Sequence, residues 1–278
     1  MNNNDIRTLR RKVESISSLP TTPDVLKQIL VMIEKPSISL GEISNFISND
    51  PALATRILKM VNSVIYGFPG RISSVSHATV LLGLNVIKGL LIGTSVFELM
   101  QKSMLGLWEH SINCAITAKL IARRKGLKDP DDVYAAGLLH DIGKVILILQ
   151  FPEEYEKVMN EINMEDITIS EAEKNHFAET HAGVGSWLAE KWRFPLNLVE
   201  SIKYHHKPHL SKNAPLETAI VHLSDILVRA MGLGFAGDPF VPALNPTVFE
   251  YLDLNENDIK EILGEVEDSK SVTEELSL

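Results

Sequence analysis

An ionisable pair, His140-Asp141, sits in the middle of the strongly apolar run Ala135-Ala-Gly-Leu-Leu-His-Asp-Ile-Gly-Lys-Val-Ile-Leu-Ile-Leu149. A carboxylate carried into a protein core is costly unless something pairs with it, and a lone buried one drifts towards neutrality. Whatever fold this chain adopts must therefore bring Asp141 a cationic partner. Histidines and acids are spread along the rest of the sequence, and a bound metal ion is the partner they assemble most easily.

Around that pair the pattern is helical almost throughout. Asp24 to Glu34 places Val25, Leu26, Ile29, Leu30 and Ile33 on one stripe. Ser39 with Glu42 has the form of a capping box, and so has Ser170 with Glu173. Asp50-Pro51 and Asp129-Pro130 are caps followed by proline at the first helical position. Ser76 is a candidate cap for the apolar helix after Pro69-Gly70, and Gly126 a candidate helix stop. Pro195 and Pro215 open further amphipathic stretches. Strand signals are few: Val145 to Leu149 fits one in isolation but continues a helical pattern. Val241 to Leu254 reads as an irregular cover, and the acidic end beyond it as frayed. The expectation is an all-α fold.

Charge and cysteine usage narrow the class. Of the net charge of −9, the segment Asn255 to Leu278 carries −6, so the rest of the chain is near balance. That sign argues against non-specific binding to nucleic acid or anionic membranes. Cys114 is the only cysteine, which excludes an intrachain disulfide and fits a reducing compartment. The N-terminus shows no signal-peptide pattern. The apolar stretch Val80 to Met100 is interrupted by Asn85, Lys88 and Glu98 and reads as a buried helix, not a membrane span. A cytoplasmic protein with no nucleic-acid or membrane partner is expected. Arg7, Arg10, Arg11 and Lys12 form a basic helix that would suit an acidic surface such as the chain's own tail.

Several side chains are candidates for the centre around Asp141. His110 shares a helical stripe with Leu107, Cys114, Ala118 and Ile121, so it points inward; a core histidine with a single hydrogen bond is the alternative. His140 and Asp141 diverge by roughly 100° on a continuous helix, so both reach one ion only over a groove or near a helix end, which Gly143 makes plausible. His181 follows Thr180, a candidate cap, and alone reads as a surface residue. His205-His206 falls in a last helical turn stopped by Pro208, where a cation is favoured; two solvated capping histidines are the alternative. Asp225 lies on the inward stripe of Val221 and Val228, or pairs with Arg229. Lys144 either faces an anion bound over a metal or is solvated, and His222 is a surface residue or a support for Asp225. Together, five histidines and two aspartates suit one or two divalent ions. Imidazole with carboxylate points to Fe, Mn, Zn or Ni.

The order His110, His140-Asp141, Asp225 resembles the metal-dependent HD phosphohydrolase superfamily, and the inserted His181 and His205-His206 its two-metal branch. Leu19-Pro-Thr-Thr-Pro-Asp24, Asn49-Asp-Pro-Ala-Leu53, Val61-Asn-Ser63, Ala78 to Gly83, and His181 to Trp192 with Pro195 closely resemble the HDOD family, over residues 12–230. The resemblance implies an N-terminal helical part (residues 19–100) packed on an HD-type helical core (101–230), with residues 231–278 as cover and tail. It implies a bacterial signal-transduction output module. By position it assigns His110, His140, Asp141 and Asp225 to a first metal site and His181, His205 and His206 to a second, with Asp141 as bridge. Lys144 matches the phosphate-contacting lysine of catalytic relatives.

Two functions follow. One is a non-catalytic signalling module with a divalent-metal site and a signalling protein as partner. The alternative is a metal-dependent phosphohydrolase or phosphodiesterase acting on a nucleotide or other phosphoester, with Asp141 and Lys144 as catalytic groups and a phosphate-containing small ligand. Cyclic-di-GMP phosphodiesterases of this branch carry Gly-Tyr-Pro after the paired histidines. Here Lys207-Pro208-His209-Leu210 follows instead, which argues against that activity.

Overall fold

The structure, a computed structural model, describes residues 5–16, 24–63, 66 and 68–270. Leu19 to Pro23 of the N-terminal motif and residues 271–278 of the acidic end lie outside them. Every regular element among the described residues is helical.

The N-terminal helices are α1 (Ile6–Glu14), α2 (Asp24–Ile33), α3 (Leu40–Ser48), α4 (Pro51–Val61) and the long α5 (Val75–Ser103). The capping box of Ser39 and Glu42 forms as the sequence predicts, and Asp50 accepts from the backbone of Ala52 and Leu53. α5 is capped by Ser74, two residues before the predicted Ser76. Gly83 adopts φ 77°, a left-handed value that breaks α5 into two stretches and favours glycine. Val75–Phe97 is long and apolar enough to cross a membrane by length and composition, but 61% of its most apolar window is buried. It packs against α2, α3 and α4, and also against α7 (Pro130–Leu139), so it joins the N-terminal helices to the rest.

The remaining helices surround His140 and Asp141. They are α6 (Leu107–Arg124), α8 (Ile142–Gln150), α9 (Pro152–Glu165), α10 (Ile169–His176), α11 (His181–Lys191), α12 (Leu196–Tyr204) and α13 (Pro215–Ala230), with α14 (Thr247–Leu252) and α15 (Glu256–Asp268) outside. α6 packs on α7 and α13, α11 on α8 and α12, and one contiguous apolar core runs from Leu9 to Val266. α1 packs mainly on α11 and α8.

Three expectations need correction. The capping box of α10 is Thr168 with Glu171; Glu173 is fully buried instead. The acidic end is helical over α15, which lays Ile262 and Val266 on α6. Its acids Glu261 and Glu265 pair with Arg124 at 2.6 and 2.8 Å, while Arg10 of the basic N-terminal helix pairs with Glu14 and Glu190.

Candidate metal centre

A helix break places His140 and Asp141 where both reach one point. α7 ends at Leu139 with His140 as its cap, and α8 begins at Ile142 with Asp141 as its cap. Gly143 is therefore not the helix end that its sequence position suggested. It is a point of close approach: a Cβ there would stand 2.0 Å from the His181 carbonyl oxygen and 2.9 Å from the Gly185 nitrogen. Bare backbone at Gly143 lets α11 bring His181 against Asp141.

The seven predicted side chains converge, from α6, the α7–α8 break, α11, the end of α12 and α13. Asp141 divides its two oxygens between them. Oδ2 lies 3.3 Å from His140 Nε2 and 3.6 Å from His110 Nε2. Oδ1 lies 3.3 Å from His181 Nε2 and 3.8 Å from His205 Nε2. On the first side His110 Nε2 is 3.3 Å from His140 Nε2 and 3.2 Å from Asp225 Oδ1. On the second, His181 Nε2 and His206 Nε2 face each other at 3.0 Å. Six of the seven side chains are at most 3% exposed; His206 alone reaches 22%.

The imidazoles are oriented from behind. His140 Nδ1 donates to the Gly137 carbonyl and His205 Nδ1 to the Ile202 carbonyl, each at 2.7 Å. His181 Nδ1 donates to Glu173 Oε2 at 2.6 Å, and the same oxygen accepts from the His181 backbone. Occupying Nδ1 turns the Nε2 lone pair of each ring towards the centre, as in metal-ligating histidines. Burial, reinforced by His140 and His181, pushes His205 well below the usual histidine range; burial with His205 and His181 does the same to His206. Burial also lowers His110. His140 moves the other way: burial resists its proton, but the charge of Asp141 outweighs that and raises it.

The carboxylates stay ionised against a burial penalty. His140 and Lys144 hold Asp141 well below the usual carboxylate range. The hydrogen bond from His110 and the charge of Arg229 do the same for Asp225. Arg229 Nε stands 3.3 Å from Asp225 Oδ1, so the sequence alternative for Asp225, its pair with Arg229, coexists with its contact to His110.

Lys144 is neither solvated nor free to reach an anion. It is 1% exposed and donates to Asp141 Oδ2 at 2.6 Å and to the Ala236 carbonyl at 2.7 Å. His222 is also no surface residue: it is buried, its Nδ1 donates to the His205 carbonyl at 2.6 Å, and its Nε2 accepts from the Asn245 backbone at 3.1 Å. The supports that sequence reasoning missed are Glu173 and Asp238. The capping-box reading misplaced Glu173 at a helix start. Asp238 accepts from Arg229 and from the Ile169 backbone, and no local pattern marks it.

A metal fits this donor set. Buried polar atoms normally have partners, yet Asp141 Oδ1 and His205 Nε2 make no hydrogen bond. With metal–nitrogen and metal–oxygen bonds of about 2.0–2.2 Å, neighbouring donors on one ion stand about 3.2–3.6 Å apart, which three of the four separations around the Asp141 oxygens match, His205 standing just beyond at 3.8 Å.

A family model for the HDOD domain matches residues 19–208, more than half of the chain. The chain belongs to the HDOD family. Among solved structures, an HDOD domain protein of unknown function from Geobacter sulfurreducens is 28% identical, with a TM-score of 0.69 and 98% of each chain covered. A candidate signal transduction protein from Marinobacter aquaeolei VT8 shares the fold at 20% identity and TM-score 0.71, covering 100% of this chain and 67% of that one. A candidate phosphohydrolase from Shewanella amazonensis SB2B does so at 18% identity and TM-score 0.68, with 96% of each covered. An uncharacterized protein of Treponema pallidum (strain Nichols) is 29% identical over 230 residues, 78% of this chain. The chain spans 43% of the length of that curated relative.

Proposed function

We propose that this HDOD protein is a signal-transduction output module whose core holds one or two divalent ions, drawn from Fe, Mn, Zn and Ni, without turning over a substrate. His110, His140, Asp141 and Asp225 hold one ion and His181, His205 and His206 the other, with Asp141 between them. The observation that carries the metal assignment is the division of the Asp141 oxygens between two groups of imidazoles, one oxygen lacking any hydrogen-bond partner.

The non-catalytic reading rests on burial. A catalytic ion keeps a position open to water and substrate. Here Lys144 is committed to Asp141 and Ala236, and only His206 reaches the surface appreciably. In this reading the domain's state is read by a signalling protein, and the ions fix the mutual position of the helices that carry their ligands.

The second reading is a metal-dependent phosphohydrolase of a nucleotide or other phosphoester. The complete ligand set and the partial exposure of His206 favour it. A divalent ion would then supply Lewis-acid polarisation of a phosphate oxygen and a bound water of lowered pKa. Lys144 would have to leave Asp141 to meet the anion.

Elemental analysis of protein purified without a nickel column is expected to find bound transition metal. Bis-p-nitrophenyl phosphate and cyclic dinucleotides, assayed with added Mn or Fe, are expected to remain intact. Turnover by the wild type that His140→Ala abolishes would establish the hydrolase in its place.

A further inference from the structure

The first ion has a donor beyond those the resemblance assigns. Cys114 lies on α6 four residues after His110, so the two side chains rise from one helical face. It is fully buried, and its Sγ stands 3.5 Å from His110 Nε2. Cys114, His110, His140 and Asp225 each place a donor atom within 4.8 Å of the other three. With metal–nitrogen bonds of about 2.0–2.1 Å and metal–sulfur bonds of about 2.3 Å, nitrogen and sulfur on one ion stand about 3.1–3.8 Å apart for angles of about 90–120° between them. We infer that Cys114 is a thiolate ligand of the first ion, a fifth donor beside His110, His140, Asp141 and Asp225. The inference rests on the metal-holding function proposed above.

Charge in the buried centre points the same way. Four buried carboxylates, Asp141, Glu173, Asp225 and Asp238, face two buried cations, Lys144 and Arg229. Two divalent ions would leave two formal positive charges uncompensated in a region shielded from water. A coordinating thiol is deprotonated outright, so Cys114 removes one of them. The ligand also narrows the choice of metal, because thiolate favours Zn and Fe whereas Mn prefers oxygen and nitrogen donors.

Cobalt(II) reports this coordination by absorption. Cys114 is the only cysteine, so a sulfur-to-cobalt charge-transfer band in the near ultraviolet has one thiolate source. Metal-free protein titrated with cobalt(II) is expected to show that band. Cys114→Ser should lose it while still binding cobalt, and its preference for Zn over Mn should fall by about 10-fold or more, the lower bound for changes around a metal site. Cobalt bound by the wild type without the band overturns the thiolate ligand and leaves the metal centre standing. Absence of bound cobalt in the wild type, measured by elemental analysis, removes the centre and this ligand with it. Because the wild-type spectrum alone decides, a misfolded variant does not blunt the test.

Discussion

Asp141 and Lys144 form a buried ion pair at 2.6 Å. Removing one member of such a pair strands the other without solvent, which costs about 3–5 kcal/mol. Urea denaturation of metal-free protein should therefore show Asp141→Ala destabilised by that order, and Asp141→Ala with Lys144→Met restored by a large part of it. Equal loss in the single and double variants would mean that the ammonium contributes nothing. Glu200 acts at the same scale, away from the ligands. One of its oxygens accepts from Ser211 Oγ and from the backbone of Lys212, Asn213 and Ala214, and so pins the loop that leads into α13, which carries Asp225. Burial raises its pKa, but the bonds from Asn213 and Ser211 outweigh that and lower it. A depressed carboxylate stabilises the fold fully above its unfolded pKa of about 4.3 and loses that contribution as the pH falls through the folded value. Glu200→Gln should cost about 1–3 kcal/mol at neutral pH. The gap from wild type, followed by denaturation across pH, should close on acidification below the ordinary carboxylate range.

At the scale of elements, the sequence spoke clearly where two local signals coincide and misled where one stands alone. Asp50-Pro51 combines a cap with a fixed φ, and α4 starts there. Ser170 with Glu173 and Thr168 with Glu171 satisfy the same spacing; what chooses between them is that Ile169, Ala172 and Glu173 face the core. The acidity of the tail suggested fraying, but Ile262 and Val266 give α15 a buried stripe and Arg124 offsets its charge. Gly143 was legible as special, though not why. The reason is another helix, 38 residues on, whose backbone touches it. Gly143→Ala should therefore act as overpacking against backbone, at about 1–3 kcal/mol or more. It should also push α11 off Asp141, so thermal melting and metal content should fall together. A lower melting temperature with metal content unchanged would show that α11 keeps its place by other contacts.

For the molecule as a whole, the side chains that converge on Asp141 could be named from the sequence, while the supports could not, because Glu173, the Ala236 carbonyl and Asp238 are brought in by topology alone. That same topology makes the centre a clamp. The seven converging side chains come from α6, the α7–α8 break, α11, the end of α12 and α13, whereas α2, α3 and α4 supply none. An ion that binds only the folded form stabilises it by about 4.1 kcal/mol when its free concentration is 1,000 times the Kd. Chelation should lower the melting temperature, and added Zn or Fe should restore it in a concentration-dependent way. The loss should also be uneven along the chain. Without the ion, like-facing imidazole nitrogens 3.0–3.3 Å apart have no cation between them, so local opening becomes easier around those rings. Amide hydrogen exchange of metal-free protein should accelerate in α11, α12 and the start of α13 and change little in α3 and α4. Uniform acceleration would instead mean that the ions stabilise the fold only globally, and would remove the basis for a metal-set arrangement of helices that a partner protein reads.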